Sequence, residues 1–210
     1  RAGRPRVLPY GTHYVPAPTP AAPPAESGPS LLELLVERLA GQGPPAHRVW
    51  LPPLSRPPAL DELLGSVGSD PARGLTVANP DLRGALQVPV AVIDNPFEQR
   101  RDVLWLALDG AAGHVAVVGG PQSGKSTVLR TLICGLALTH SPAEVRIYCL
   151  DFGGGSLAAL RDLPHVGGVA GRLDAETVRR TVGDVSALLA EREAGAAVDG
   201  HVFLVVDGWA

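Results

Sequence analysis

The hydrophobic positions of this chain follow different rhythms in different stretches. Through residues 1–29 there is none: "VPAPTPAAPPAESGPS" is proline-rich, extended and unable to bury a core, so it reads as a linker. At Ser30 a helical spacing begins. In "SLLELLVERLAG", Leu31, Leu35 and Leu39 share a face, Ser30 and Glu33 have capping-box spacing, and Gly41 stops the helix. A second proline-rich stretch, "GPPAHRVWLPPLSRPP", follows, with Trp50 and Leu51 expected to anchor on a neighbouring surface. "ALDELLG" supplies one or two helical turns. From Gly74 to Asp109 the chain is strand-like, and Leu86, Val88, Val90 and Val92 alternate with the opposite face. Pro89 argues for an edge position there. "VLWLALD" is a second strand, with "NPFEQRR" as the turn between them.

From His114 the apolar runs become continuous. "HVAVVGG", "VRIYCLD" and "VFLVVD" read as strands buried on both faces. Between them lie "KSTVLRTLICGLALTH", with Val128, Leu132, Ile133 and Leu136 on one face, and "LDAETVRRTVGDVSALLAERE". The latter has Asp174 as N-cap and Val178, Val182, Val185 and Leu189 expected inward. Apolar strands alternating with helices predict an α/β fold, a parallel sheet covered by helices.

Composition narrows the picture. Hydrophobic residues make up 45% of 210, enough for a sizeable core. The net charge of −3, with both signs mixed, excludes a basic nucleic-acid footprint or an acidic tail, though a local basic groove stays compatible. No apolar run approaches the ~20 residues that span a bilayer, and no signal peptide opens the chain. Cys134 and Cys149 lie in apolar runs without metal-ligand spacing and read as reduced core residues. The chain contains no methionine, so Arg1 is not a translation start and a longer parent protein is expected.

The chemistry sits between the first parallel strand and its helix. In "GGPQSGKST", Gly119, Gly124, Lys125 and Ser126 fit the P-loop spacing, and Gly120, Pro121, Gln122, Ser123 and Thr127 complete the candidate cofactor-binding stretch. The glycines let backbone N–H groups converge on phosphates, and Lys125 brings a positive charge to the β- and γ-phosphates. The Ser126 hydroxyl suits Mg²⁺, and the helix start adds its positive dipole end. P-loop proteins place an aspartate for the metal's water shell at the end of a second apolar strand, and "FLVVD" supplies Asp207. The expected ligands are therefore ATP and Mg²⁺, with Ser126 and Asp207 on the metal. Asp151 ends the middle strand; it either faces the same site or caps its own turn. Glycines 153–155 follow it without a lysine and read as a turn.

Three segments together, "GGPQSGKST", "YCLDFGGGSLAALRDLPHVGGVAGRLDAETVRRTVGDVSALLAERE" and "VFLVVDGW", resemble the FtsK/SpoIIIE class of P-loop motors. Within that class, "GQGPPAHRVWLPPL", "VPVAVIDNPFEQRR" and the P-loop region are similar to the EccC ATPases of type VII (ESX) secretion, and to a middle module of their ATPase chain. The resemblance covers about residues 30–210. It implies a RecA/FtsK-like three-layer core over residues 111–210, apparently incomplete, preceded by a helix and β section over 30–110 and the linker 1–29. It also implies partners: neighbouring ATPase modules, a secreted folded WXG100-type substrate, and a homo-hexamer in the full assembly. No direct nucleic-acid partner is expected. The implied location is the cytoplasmic face of the inner membrane, with membrane contact only through the rest of the protein.

Departures from the class set the expected activity. Active members follow the metal-associated Asp with a Glu that orients the attacking water; here Gly208 stands in that place. Losing a general base costs ~10²–10⁴ in rate, so hydrolysis is expected to be slow or absent, with no catalytic residue assigned and ATP acting as an assembly ligand. DNA-moving relatives carry Asp-Pro-Lys where this chain has Asp151-Phe152-Gly153. Completing strands are missing after Asp207, and the link from Glu193 to His201 is short for the class. Arg172, Arg179 and Arg180 read as solvated charges. A DNA translocase is the alternative, opposed by the missing basic stripe and Lys. A small-molecule kinase is a third reading, lacking an acceptor site and base.

Overall fold

The computed structural model describes residues 28–44, 46, 50–110, 113–197 and 199–209. The expected linker at 1–29 lies almost wholly outside the described residues. The chain divides into two compact units, residues 1–48 and 49–210.

The described part of the first unit is a short helix, α1 (Leu31–Leu39). The capping box read from the sequence is formed: the Glu33 N–H donates to Ser30 Oγ at 3.2 Å, and the Ser30 N–H donates to Glu33 Oε2 at 2.7 Å. Gly41 follows at φ +76°, the left-handed turn that ends the helix. Every residue of α1 is exposed.

The second unit opens with a single-turn-and-a-half helix, α2 (Leu60–Leu64), and a hairpin of β1 (Val67–Asp70) and β2 (Gly74–Val77). A longer antiparallel ribbon follows, β3 (Gln87–Asn95) and β4 (Arg100–Ala107), with a register shift between Pro89 and Ala91. A residue without an N–H belongs at such an irregularity or on an edge, and Pro89 occupies both. The turn is a 3-10 segment over Pro96–Glu98, closed by Gln99 in the left-handed region at φ 51°.

The remaining elements are α3 (Lys125–Thr139), β5 (Val145–Asp151), β6 (Val166–Gly171), α4 (Ala175–Glu193) and β7 (His201–Asp207). The three strands form a parallel sheet in the order β6-β5-β7. The central β5 buries Val145, Ile147, Cys149 and Leu150, as expected of a strand with neighbours on both edges. Leu132, Ile133 and Leu136 of α3 join them in one core with Val169, Val205, Leu86 and Val88. The helix lies so close to β3 that a Cβ on Gly135 would collide with Val88.

The buried C-terminal end of α3 is held by the β1–β2 hairpin and the turn after it, beyond its own cap bond from the His140 N–H to Leu136 O. Thr76 Oγ1 donates to Leu138 O at 2.8 Å and the Gly84 N–H to Thr139 O at 2.9 Å. These bonds use carbonyls that a helix end leaves without partners. Arg73 grips Glu144 with two bonds, 2.6 and 2.8 Å, beside them.

Four expectations are corrected. Residues 113–119 form no strand: the "HVAVV" run pairs with no neighbour, and Val118 is 93% exposed. Apolar content gave this segment its strand signature, but a strand is made by its hydrogen bonds to a neighbour, and the segment forms none although the outer edge of β7 stays open. The third strand of the sheet is instead β6, whose glycines hide it from a propensity reading. Gly167 is needed there because the Tyr148 ring would lie 2.7 Å from a Cβ. In α4 the inward stripe is Thr177, Val178, Thr181, Val185 and Leu188, while Val182 and Leu189 point outward at 43% and 57% exposure. Both stripes fit a 3.6-residue period, and packing against β6 selects one. Of the two expected anchors, Trp50 stays largely exposed and Leu51 is half-buried.

Candidate nucleotide-binding site

The loop from Gly119 to Gly124 curls by means of its special backbone positions. Gly124 takes φ +89° as the residue before α3, and Gln122 sits at φ 56°. Gly119 has no room for a side chain, since a Cβ would lie 2.5 Å from Ser123 Oγ. The curl turns two carbonyls inward, and the Lys125 ammonium donates to both, Gly119 O at 2.9 Å and Gly120 O at 2.7 Å. Gly120, Pro121, Gln122, Ser123, Gly124 and Thr127 are exposed, and Lys125 and Ser126 are half-buried.

The start of α3 is open. No side chain caps it and no acidic residue stands in its first turn. The first-turn N–H groups of Lys125, Ser126 and Thr127 are the ones an α-helix leaves without partners, and they meet the positive end of the dipole. Open donors, a lysine and no competing carboxylate fit a phosphate chain.

The sheet brings the acidic residues to the same edge. α3 is 15 residues, roughly 22 Å long. Its C-terminal end meets the amino edge of the sheet, where His165 Nε2 and His140 O are 2.8 Å apart. Running back along β5, the helix returns its start toward the edge where Asp151 and Asp207 end their strands. These two aspartates are directly paired across β5 and β7.

Their surroundings separate their roles. Asp151 caps its own turn: Oδ1 accepts from the Gly155 N–H at 3.0 Å and Oδ2 from the Leu157 N–H at 2.7 Å. Of the two readings the sequence allowed, capping is the one observed. Next to it in β5, burial and then the Asp151 charge push the Cys149 thiol up to about 11, so it stays protonated. Asp207 is 4% exposed and accepts from Ser156 Oγ at 3.0 Å through Oδ2. Among the described residues it has no Arg, Lys or His partner. A buried carboxylate without a cation fits a position that a metal's hydration shell would complete. No hydrogen bond joins Ser126 to Asp207 among the described residues.

Sequence reading missed the packing around Gly208. Its φ is +73°, and a Cβ there would lie 2.7 Å from Gly153 N, 2.8 Å from Gly153 Cα and 2.8 Å from the Phe152 carbonyl carbon. Gly153 in turn lies over the Asp207 carboxylate, where a Cβ would stand 2.8 Å from Cγ. The Phe152 N–H also donates to Asp207 O at 2.8 Å. The only sequence signal was the pair of glycines itself. The position where a Glu is expected is thus closed to any side chain. Arg172, Arg179 and Arg180 are exposed, as the sequence suggested, and Arg180 reaches only Glu176 within its own helix.

A glycine-opened loop feeding an uncapped helix beside a parallel sheet defines a P-loop ATPase domain. Residues 85–201 match the FtsK/SpoIIIE family, and this chain belongs to it. The match ends before Asp207. The chain is 50% identical over 233 residues to the ESX secretion system protein EccC of Thermomonospora curvata, covering 97% of this chain and 18% of that protein. It is 43% identical over 230 residues to the ESX-4 secretion system protein EccC4 of Mycobacterium tuberculosis, covering 98% and 18%. The solved cytoplasmic domain of the type VII secretion ATPase EccC from T. curvata superposes with a TM-score of 0.78 at 51% identity, over 90% of this chain and 24% of that one. A second T. curvata EccC structure, ATPases 2 and 3 in complex with a signal sequence peptide, gives 0.71 at 53% identity, over 76% and 33%. The chain therefore spans less than a fifth of these curated relatives. No helix among the described residues is long and apolar enough to cross a membrane.

Proposed function

We propose that this chain is an ATP-binding module of a type VII secretion motor, and that its own site holds ATP·Mg²⁺ as an assembly ligand with slow or absent turnover. The observation that carries the proposal is Gly208. A water-activating Glu is absent there, and the Phe152–Gly153 backbone occupies the space its Cβ would need. Binding without fast turnover follows, because the phosphate-holding parts are complete while the base is missing.

In this reading residues 1–29 are the linker and 30–210 the ATPase domain. The open N–H groups at the start of α3 and the Lys125 ammonium would hold the phosphates, with Lys125 leaving the carbonyls of Gly119 and Gly120. Ser126 and Asp207 would hold Mg²⁺, which when bound neutralises phosphate charge. The carbonyls of Gly119 and Gly120 keep the ammonium pre-aimed at the loop until then. A ligand that binds only the folded, assembled state stabilises it by mass action. The similarity to EccC supports partners of the same kind: neighbouring ATPase modules, a hexameric assembly and folded WXG100-type substrates, at the cytoplasmic face of the membrane.

The test pairs binding with turnover on the purified chain. Saturable ATP binding, with phosphate release no faster than in a Lys125→Ala control, is expected. Brisk hydrolysis by the chain alone would overturn the ligand role, and unchanged ATP affinity in Lys125→Ala would overturn nucleotide binding at this loop.

A further inference from the structure

Asp207 needs a fixed orientation to serve a metal shell, and its surroundings reveal what fixes it. The turn after β5, residues 152–156, folds over the end of β7 and touches Asp207 three ways. The Phe152 N–H holds its backbone oxygen at 2.8 Å, Gly153 covers the face of its carboxylate, and Ser156 Oγ donates to Oδ2 at 3.0 Å. Only the last bond sets the rotation of the carboxylate.

The Ser156 hydroxyl is itself held. Its neighbours Gly155 and Leu157 donate their N–H groups to Asp151, and the Leu157 side chain is fully buried in the core. The glycines before it, Gly154 at φ +120° and Gly155 at φ +85°, make the reversal that turns the hydroxyl back toward β7. A short loop pinned on both sides of one serine makes a rigid donor, and a donor bonded to an ionised acceptor is worth more than a neutral pair. With Oδ2 held, Oδ1 and the second lone pair of Oδ2 remain for a cation's water.

We propose that Ser156 is a positioning residue for the metal: its hydroxyl orients Asp207 so that nucleotide binding gains from Mg²⁺. This rests on the reading of Lys125 and Asp207 as an ATP·Mg²⁺ site. Ser156 lies outside the P-loop and outside both apolar strands, and it acts through Asp207 rather than on the ligand.

The test titrates a fluorescent ATP analogue into the full chain, once in EDTA and once with MgCl₂, and then titrates free Mg²⁺ at fixed nucleotide. In wild type, Mg²⁺ tightens binding. Ser156→Ala is expected to keep the EDTA affinity within about twofold and to cut the Mg²⁺ gain roughly tenfold, the lower end for one lost hydrogen bond to a charged group. Its Mg²⁺ midpoint rises, and Ser156→Thr, which keeps the hydroxyl, restores the gain. An undiminished Mg²⁺ gain in Ser156→Ala overturns the proposal, as does an equal loss with and without Mg²⁺, which would mark a purely structural role. Lys125→Ala in the same assay separates the two layers. If it binds like wild type, the nucleotide reading falls and takes Ser156 with it. If it loses binding while Ser156→Ala keeps the full gain, only the positioning role falls.

Discussion

At the amino edge of the parallel sheet, Glu144 is clasped by Arg73 with two bonds, and His140 and His165 are buried with one ring nitrogen each left without a partner. At the carboxyl edge, Asp207 is equally buried but has no basic partner among the described residues, only a serine hydroxyl and a covering glycine. One edge pairs its carboxylate with a guanidinium, and so fastens a hairpin to a helix. The other leaves a carboxyl group without a basic partner among the described residues, beside glycines that bring backbone close. Burial alone is common to both; what differs is whether a cation is built in or left to be supplied.

That contrast breaks most visibly at Gly208. Putting a side chain at its φ costs about 1–2 kcal/mol, and forcing it into the Phe152–Gly153 backbone adds roughly 1–3 kcal/mol. Gly208→Glu should lower stability by about 3 kcal/mol and the melting temperature by roughly 10 °C, without restoring turnover. Thermal unfolding and phosphate release check both, and a stable, fast Gly208→Glu would show that the turn yields easily.

Lys125 tests the same edge without touching the core. Losing an ammonium that bonds phosphate oxygens costs about 2 kcal/mol, roughly thirtyfold in affinity. Its own contacts are loop carbonyls at the surface, so Lys125→Ala should melt with wild type. A matching loss of stability would mean that the lysine is structural.

The amino edge is sharpened by a smaller effect, in acid. Burial lowers the pKa of His140 from the ordinary imidazole value; Leu136 O and Glu144 oppose this, and His201 and Arg73 add to it. The unfolded chain therefore takes up a proton near pH 6.5 while the folded one does not until lower pH. Below pH 6.5 the unfolded state binds more protons, so stability falls as pH drops from 7 toward 5.5. The urea midpoint should follow that decline, and His140→Gln should flatten it. A midpoint independent of pH in wild type would show that the ring accepts its proton in place.

The sequence was most legible where local chemistry dictates structure. The helix start after Gly124, the β5 and β7 runs and the Ser30–Glu33 cap each depend on residues within a few positions of each other, and each formed. Non-local packing was not legible. "HVAVV" has the composition of a strand but pairs with no neighbour, although β7 has an open edge, whereas β6 has poor strand composition and pairs with β5, its Gly167 leaving room for the Tyr148 ring. The stripe of α4 shifted because two faces satisfied the same period. Gly208 read as a missing base; that it is also a filled space depends on Gly153, 55 residues earlier in the chain.

The meeting of Gly153 and Gly208 also couples two distant positions of the chain. A side chain placed at 208 meets the Phe152–Gly153 backbone rather than an empty pocket. Making room for one needs a second change that lifts residues 152–153, and that change alone would loosen the hold on Asp207. Neither position can be altered singly without loss, so only a paired substitution would open this space.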